Sequence, residues 1–168
     1  MIPLNVQTLI VSRSSMPSVL VMKPEEKLVA DGVSRVLPIW VGLPEATQLG
    51  IALEHVKMPR PLTHDLFLNT ITSLDAYIDH VVLYESVGQT FYARLVLHHH
   101  GRSIEMDARP SDAIALALKQ DAGIYVEESV LDKSSFPCLV NDAAHSESQL
   151  KEFHDYVKHL KPEDFDVS

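Results

Sequence analysis

Two short stretches of the chain hold the residue types that act on phosphate esters. RPLTHDLF (60–67) gathers Arg60, Thr63, His64 and Asp65, and DARPSDA (107–113) gathers Asp107, Arg109, Ser111 and Asp112. An arginine stabilises charge developing on a phosphoryl oxygen, a histidine moves a proton, and carboxylates orient water or hold Mg²⁺ or Mn²⁺. Phosphodiester hydrolysis uses that set, with a base or a metal-bound water supplying the nucleophile. In this reading His64 is the general base or acid, and Asp65, Asp107 and Asp112 orient water or bind the ion. Glu45 is a further metal candidate. Arg60 and Arg109, with Thr63 and Ser111, hold the phosphate.

A plainer reading competes at both places. Thr63 and Ser111 are preferred helix N-caps, Asp65 and Asp112 in a first turn favour the helix dipole, and the prolines stiffen the approach. Capping leaves Arg60 and His64 unexplained. Two Arg-Pro pairs opening helices in one small chain also supply two sets of free N–H groups, the environment that receives phosphate. The chemistry needs the two helix starts to converge. If they do, both guanidiniums should lie within about 10 Å of an aspartate of the set, where charges still couple at physiological salt.

The elements that must position these residues follow from periodicity and punctuation. Val6–Val11, Val19–Met22 and Val33–Val41 are β-rich, and Pro38 in the third belongs at an edge or bulge. A helix starts at Gly42-Leu43-Pro44-Glu45 and ends near His55, and a second runs from Thr63 through Leu66, Phe67, Ile71 and Leu74. Tyr77–Glu85, Phe91–Leu97 and Ser103–Asp107 form a meander turning at Gly88 and Gly101. Ser111 caps a helix over Ala113–Gln120, Gly123 ends it, and Ile124–Glu127 is a short strand. Ser146–Leu160 is an amphipathic helix with Leu150, Phe153, Val157 and Leu160 as its stripe. Glu45-Ala46 followed by Leu49 echoes Asp112-Ala113 followed by Leu116, a thin sign of a repeated strand–helix unit. The expected organisation is a domain over residues 1–135, with a C-terminal loop and helix over 136–168 packed on it.

Bulk properties narrow the class. At 168 residues, 46% hydrophobic and 22% charged, the chain suits one globular domain with a sizeable core. The single cysteine, Cys138, excludes an internal disulfide framework and fits a reducing, cytoplasmic setting. No apolar run is long enough to span a membrane, and no basic region precedes the apolar N-terminal residues as in a signal peptide. With 14 Lys+Arg against 23 Asp+Glu, a net charge of -9, the chain lacks the basic footprint of an avid nucleic-acid binder. Contact with a polynucleotide should therefore be transient and weak, through a local site at Arg60 and Arg109. His98-His99-His100 alternates across a strand and has no sequence-local partner ligands, so it reads as a solvated strand end. Trp40 reads as core. Short apolar strands interrupted by proline leave edges that a homo-oligomer, in the commonest case a dimer, would cover.

Four segments carry a family likeness: LPIWVGLPEA (37–46), RPLTHDL (60–66), FYARLVL (91–97) and DARPSDAIALAL (107–118). Together they resemble the bifunctional nuclease, or DNase–RNase, domain family, in order and spacing, over about residues 5 to 131. The tail, with LKPEDF (160–165), is similar to the C-terminal helix of stand-alone bacterial members. The resemblance implies an α+β fold with a repeated strand–helix arrangement around a largely antiparallel sheet. It also implies nuclease activity on DNA or RNA, and it assigns no catalytic residue. The alternative is a non-catalytic module that binds a small anionic ligand or a protein partner. The net charge favours that alternative, and the resemblance favours the enzyme.

Overall fold

The structure is a computed structural model that describes residues 1–12, 16–25 and 33–139. The chain runs β1 (Ile2–Ile10), β2 (Ser18–Pro24), β3 (Val33–Val41), α1 (Leu43–Leu53), α2 (Thr63–Ser73), β4 (Ala76–Val87), β5 (Thr90–His99), β6 (Arg102–Ala108), α3 (Pro110–Gln120), β7 (Gly123–Val126), α4 (Glu128–Ser134) and β8 (Phe136–Leu139). Its eight strands form one sheet in the order β6-β5-β4-β7-β1-β2-β3-β8. Every neighbouring pair is antiparallel except β4 and β7. The fold is α+β, as the sequence implies.

Two antiparallel meanders, β1-β2-β3 and β4-β5-β6, each lead straight into a helix, α1 and α3. The thin sequence echo therefore marks a repeated architecture. The short strand β7 joins the halves by pairing with β1 on one side and β4 on the other. Alternation along β5 shows how the sheet finds its inner face: Phe91, Ala93, Leu95 and Leu97 are buried, with exposed Tyr92 and Arg94 between them. From β4, Ile78, Val81 and Leu83 join the same core. Burial extends almost around α3, over Ala113, Ile114, Ala115, Leu116 and Ala117. Its three alanines let it lie close to both α1 and the strands β4 and β5, so α3 is the helix on which the others register.

Several local expectations change in three dimensions. The N-cap of α2 is Leu62, so Thr63 is its first helical residue, and the N-cap of α3 is Arg109, which leaves Ser111 buried in the first turn. Neither hydroxyl caps. Pro110 takes the first helical position, where its fixed φ is suited and its missing N–H costs nothing, and that shifts the start earlier than Ser111. Asp121, in the left-handed region at φ 53°, ends α3, and Gly123 opens β7 instead. Pro38 lies beyond the stretch of β3 that β8 covers, Val33–Val36, so it meets an edge as proline requires. The sequence reading missed α4 and put Phe136–Leu139 in a loop; both are too short for periodicity to reveal. Arg35 of β3 binds Glu128 at 2.7 Å and Asp132 at 3.0 Å, which ties α4 to the sheet. The C-terminal helix expected over Ser146–Leu160 lies outside the described residues.

Candidate functional site

Each of α1, α2 and α3 carries a carboxylate at its third helical position: Glu45, Asp65 and Asp112. At that position a carboxylate can turn back on the helix start, where unsatisfied N–H groups and the dipole favour negative charge. Asp65 does so directly, accepting from the Leu62 N–H at 2.9 Å. Glu45 leans over Gly42, where an added Cβ would sit 2.5 Å from its Oε2, so the glycine leaves room for the carboxylate.

Arg109 converts two of these starts into one site. Extended at φ −68° and ψ 142° and followed by Pro110, it projects from the entrance of α3. Its Nε donates to Oδ2 of Asp112 at 2.8 Å and its Nη2 to Oδ1 at 3.3 Å, a forked grip on the carboxylate. Its Nη1 donates to Oε1 of Glu45 at 3.1 Å, reaching α1. His64, from the first turn of α2, places Nε2 3.2 Å from Oδ1 of Asp112 and Nδ1 3.4 Å from Oε1 of Gln48. The result is a closed polar circuit: Glu45, Arg109, Asp112, His64 and Gln48, returning to α1.

The circuit sets protonation states. An ionised carboxylate only accepts, so Nε2 of His64 carries the hydrogen shared with Asp112, and in the neutral imidazole Nδ1 holds the lone pair. Oε1 of Gln48, itself an acceptor, faces Nδ1 at 3.4 Å and gives the neutral ring no hydrogen bond there. Burial works to raise the Asp112 carboxyl, but Arg109 and then His64 outweigh it and hold it below the usual carboxylate range. Asp112 and then Glu45 in turn bind the Arg109 proton more tightly than usual. Three of the five guanidinium N–H groups are engaged, which leaves one on each terminal nitrogen. The arginine side chain is 65% exposed while His64 is 14% exposed, so an arriving anion meets the arginine first.

The sequence-derived set thus divides. His64, Asp112, Arg109 and Glu45 come together. Asp65 does not join them: its carboxylate takes Nζ of Lys119 at 2.8 Å besides the Leu62 N–H. Lys119, then the Leu62 N–H, lower its pKa, and it serves as a clamp between α2 and α3. Asp107 sits opposite Arg94 in the β5–β6 ladder, and so on the face away from the helices. There Tyr84 approaches it at 3.5 Å and Arg94 lies 4.2 Å over the Tyr84 ring. Arg60 is exposed and makes no side-chain hydrogen bond or ion pair among the described residues, and Thr63 is exposed. The two corners therefore converge through His64 and Asp112, without Arg60. Among the described residues no group of three or more His, Cys, Asp or Glu side chains is placed to hold a metal ion, so the four carboxylate candidates do not form one coordination set. No helix among those residues is long and apolar enough to cross a membrane.

Sequence reasoning missed Gln48 and Lys119, though helical spacing signals both. Gln48 is three residues from Glu45 and Lys119 seven from Asp112, which puts each on the face of its known neighbour.

The bifunctional nuclease domain family matches residues 28–138. An uncharacterized protein of Mycobacterium tuberculosis (strain ATCC 25618 / H37Rv) is 36% identical over 138 residues, covering 78% of this chain and 81% of its own length. Bifunctional nuclease 1 of Oryza sativa subsp. japonica is 29% identical over 103 residues, 60% of this chain and 31% of the plant protein. A bifunctional nuclease of Oryza minuta matches to the same extent.

Proposed function

This chain belongs to the bifunctional nuclease domain family, and from that premise we propose that it hydrolyses phosphodiester bonds of DNA or RNA at the start of α3. The observation that carries the proposal is the circuit in which Asp112 orients both an exposed arginine fork and a largely buried imidazole. The two unengaged N–H groups of Arg109 would receive the phosphate and stabilise the charge that grows on it. Once Gln48 swings aside, Nδ1 of His64 would take a proton from water as its oxygen bonds to phosphorus. The ester P–O bond then breaks, and the leaving oxygen takes a proton from the imidazolium or from solvent. Asp112 would stabilise the imidazolium that forms between these steps.

Mg²⁺ or Mn²⁺ would neutralise phosphate charge and lower the pKa of a bound water. Glu45 and Asp112 are the carboxylates near enough to the arginine site to help hold such an ion, and both are already paired with Arg109. That pairing favours a second reading, a non-catalytic module in which the circuit fastens three helix starts around a small anion. Under the hydrolase reading the net charge of -9 keeps polynucleotide contact brief and weak. We assign the protein to the cytoplasm and expect a homodimer, for which the β6 edge, with Ile104 43% and Met106 41% exposed, offers a surface. Light scattering giving a mass near 18.8 kDa at high micromolar concentration would remove the dimer.

The deciding assay incubates purified protein with single-stranded DNA and RNA in Mg²⁺, in Mn²⁺ and in EDTA, beside His64→Ala and Arg109→Ala. Cleavage by the wild type that both variants lose supports the hydrolase. Equal cleavage by all three proteins identifies a contaminant and leaves the binding module.

A further inference from the structure

One turn beyond the circuit, α1 and α2 enclose a cleft of about 290 Å³, just below the roughly 300 Å³ at which small-ligand pockets begin. Its position follows from helix periodicity. From Gln48, α1 advances three residues to Ile51; from His64, α2 advances four to Leu68. Both steps are about one turn, or ~5 Å, along the axes. The half-buried side chains of Ile51 and Leu68, with Val56, make apolar walls, and the Asp65–Lys119 pair closes one side. Ala52, His55, Asn69 and Lys57 complete the lining. Asn69 and Lys57 are exposed, and neither side chain has a hydrogen-bond or ion-pair partner among the described residues.

A larger cleft of about 410 Å³ lies where β1 and β7 part, but the C-terminal ends of α1 and α3 and the Asp121 carboxylate face it. Those partial and full negative charges disfavour a phosphate there. The smaller cleft also meets the C-terminal end of α1, at Ala52 and His55, but there the Asp65 carboxylate is neutralised by Lys119, and the cleft adds apolar walls, an uncommitted amide and the Lys57 ammonium.

We propose that the α1–α2 cleft is a nucleobase pocket beside the reacting phosphate, with the Asn69 amide reading the base edge and Lys57 meeting an adjacent phosphate. The proposal rests on the phosphodiester reading above and gives it a substrate form: a single strand whose base is splayed out of the stack. The aliphatic walls of Ile51, Val56 and Leu68 can pack on the face of a ring, and a primary amide offers a donor and an acceptor side by side, the pattern by which asparagine pairs with a base edge. The volume suits one base and not a stacked pair.

The test titrates the ¹⁵N-labelled full chain with AMP, CMP, GMP and UMP separately, for wild type, Asn69→Leu and Lys57→Gln, with thermal melting as the control for folding. The expected result is amide shifts at Ile51, Val56 and Leu68 with a preference among the four bases. Asn69→Leu should weaken the preferred nucleotide about tenfold and level the series, while Lys57→Gln should weaken all four alike. Shifts confined to His64 and Arg109, no binding of any nucleotide, or a base preference untouched by Asn69→Leu would each overturn the pocket. Failure of the nuclease reading looks different: a protein without hydrolytic activity that still shows the pocket shifts keeps the base site and loses the reaction.

Discussion

Asp65 and Asp112 occupy equivalent places, each third in a helix that follows an Arg-Pro pair, yet their surroundings diverge. Asp65 is held by Lys119 at 2.8 Å and by a backbone N–H, contacts that fix α2 against α3. Asp112 is gripped by its own corner's arginine and by a histidine from the other corner. The difference lies in the arginines. Arg109 is itself the N-cap and reaches its third-position carboxylate, whereas Arg60 lies two residues ahead of the N-cap Leu62, exposed and without a side-chain partner among the described residues. A shift of two residues in where the helix begins gives one corner the polar circuit of the proposed site and leaves the other a clamp.

The sharpest way to break that comparison is activity. His64→Ala and Arg109→Ala should each lower kcat by about 10²–10³-fold, the scale of losing a proton-transfer group or a charge-stabilising donor. Asp65→Asn and Lys119→Met should lower it less than about tenfold at a temperature where the fold is intact. Equal losses at both corners in a steady-state cleavage assay would mean that the clamp belongs to the site.

Stability should show the opposite ranking. Lys119 is 11% exposed and Asp65 29% exposed, so Lys119→Met strands a carboxylate in a poorly hydrated place, at about 1–2 kcal/mol. For a chain of this size that is about 3–6 °C in Tm. Calorimetry should also find Asp65 and Lys119 coupled by more than about 0.5 kcal/mol in a double-mutant cycle, and Lys119 and Arg109 coupled by less.

Acid unfolding should treat the two aspartates alike. Both carboxyls have folded-state pKa values below the ordinary one, Asp65 through Lys119 and the Leu62 N–H, Asp112 through Arg109 and His64 against the effect of burial. Lowered values mean a stabilising contribution that is complete above the unfolded pKa of about 3.9 and lost as pH falls through the folded value. Urea melts of Asp65→Asn and Asp112→Asn should therefore trail the wild type at pH 7 and approach it as the pH is lowered past that range. A gap that widened in acid would reverse the assigned sign. The smallest effect is expected at Asp107, on the other face of the sheet. Asp107→Asn should change stability by less than about 0.5 kcal/mol and leave cleavage unaltered, and a large loss of activity there would return it to the site.

Strands and helices with clean periods were legible in the residues. β3 spans Val33–Val41 as read, and β4, β5, β6 and α2 shift by no more than two residues at either end. Two of the short elements were not, although four-residue β7 was, after the Gly123 that sets it off. α4 is two turns long and β8 is four residues with Pro137 inside it, and neither carries an apolar repeat that identifies it. Caps were misplaced for a related reason, since Thr63 and Ser111 have the right chemistry to cap but the chain enters each helix earlier. Propensity ranks residues for a position without saying which residue will hold it.

By itself the sequence determined the family, the α+β class and the residue types of the proposed phosphate-handling site, because motifs and periods are properties of neighbouring residues. Only the tertiary structure decided which of those residues meet. Asp107 and Arg109 are two positions apart, yet the strand pleat turns one to the face away from the helices and the helix start brings the other to Glu45, 64 residues away in sequence. His64 and Asp65 are adjacent, and a helix directs consecutive side chains about 100° apart, so one faces Asp112 and the other Lys119. Proximity along the chain sets only the local direction of a side chain; what lies in that direction depends on how the helices pack on the sheet.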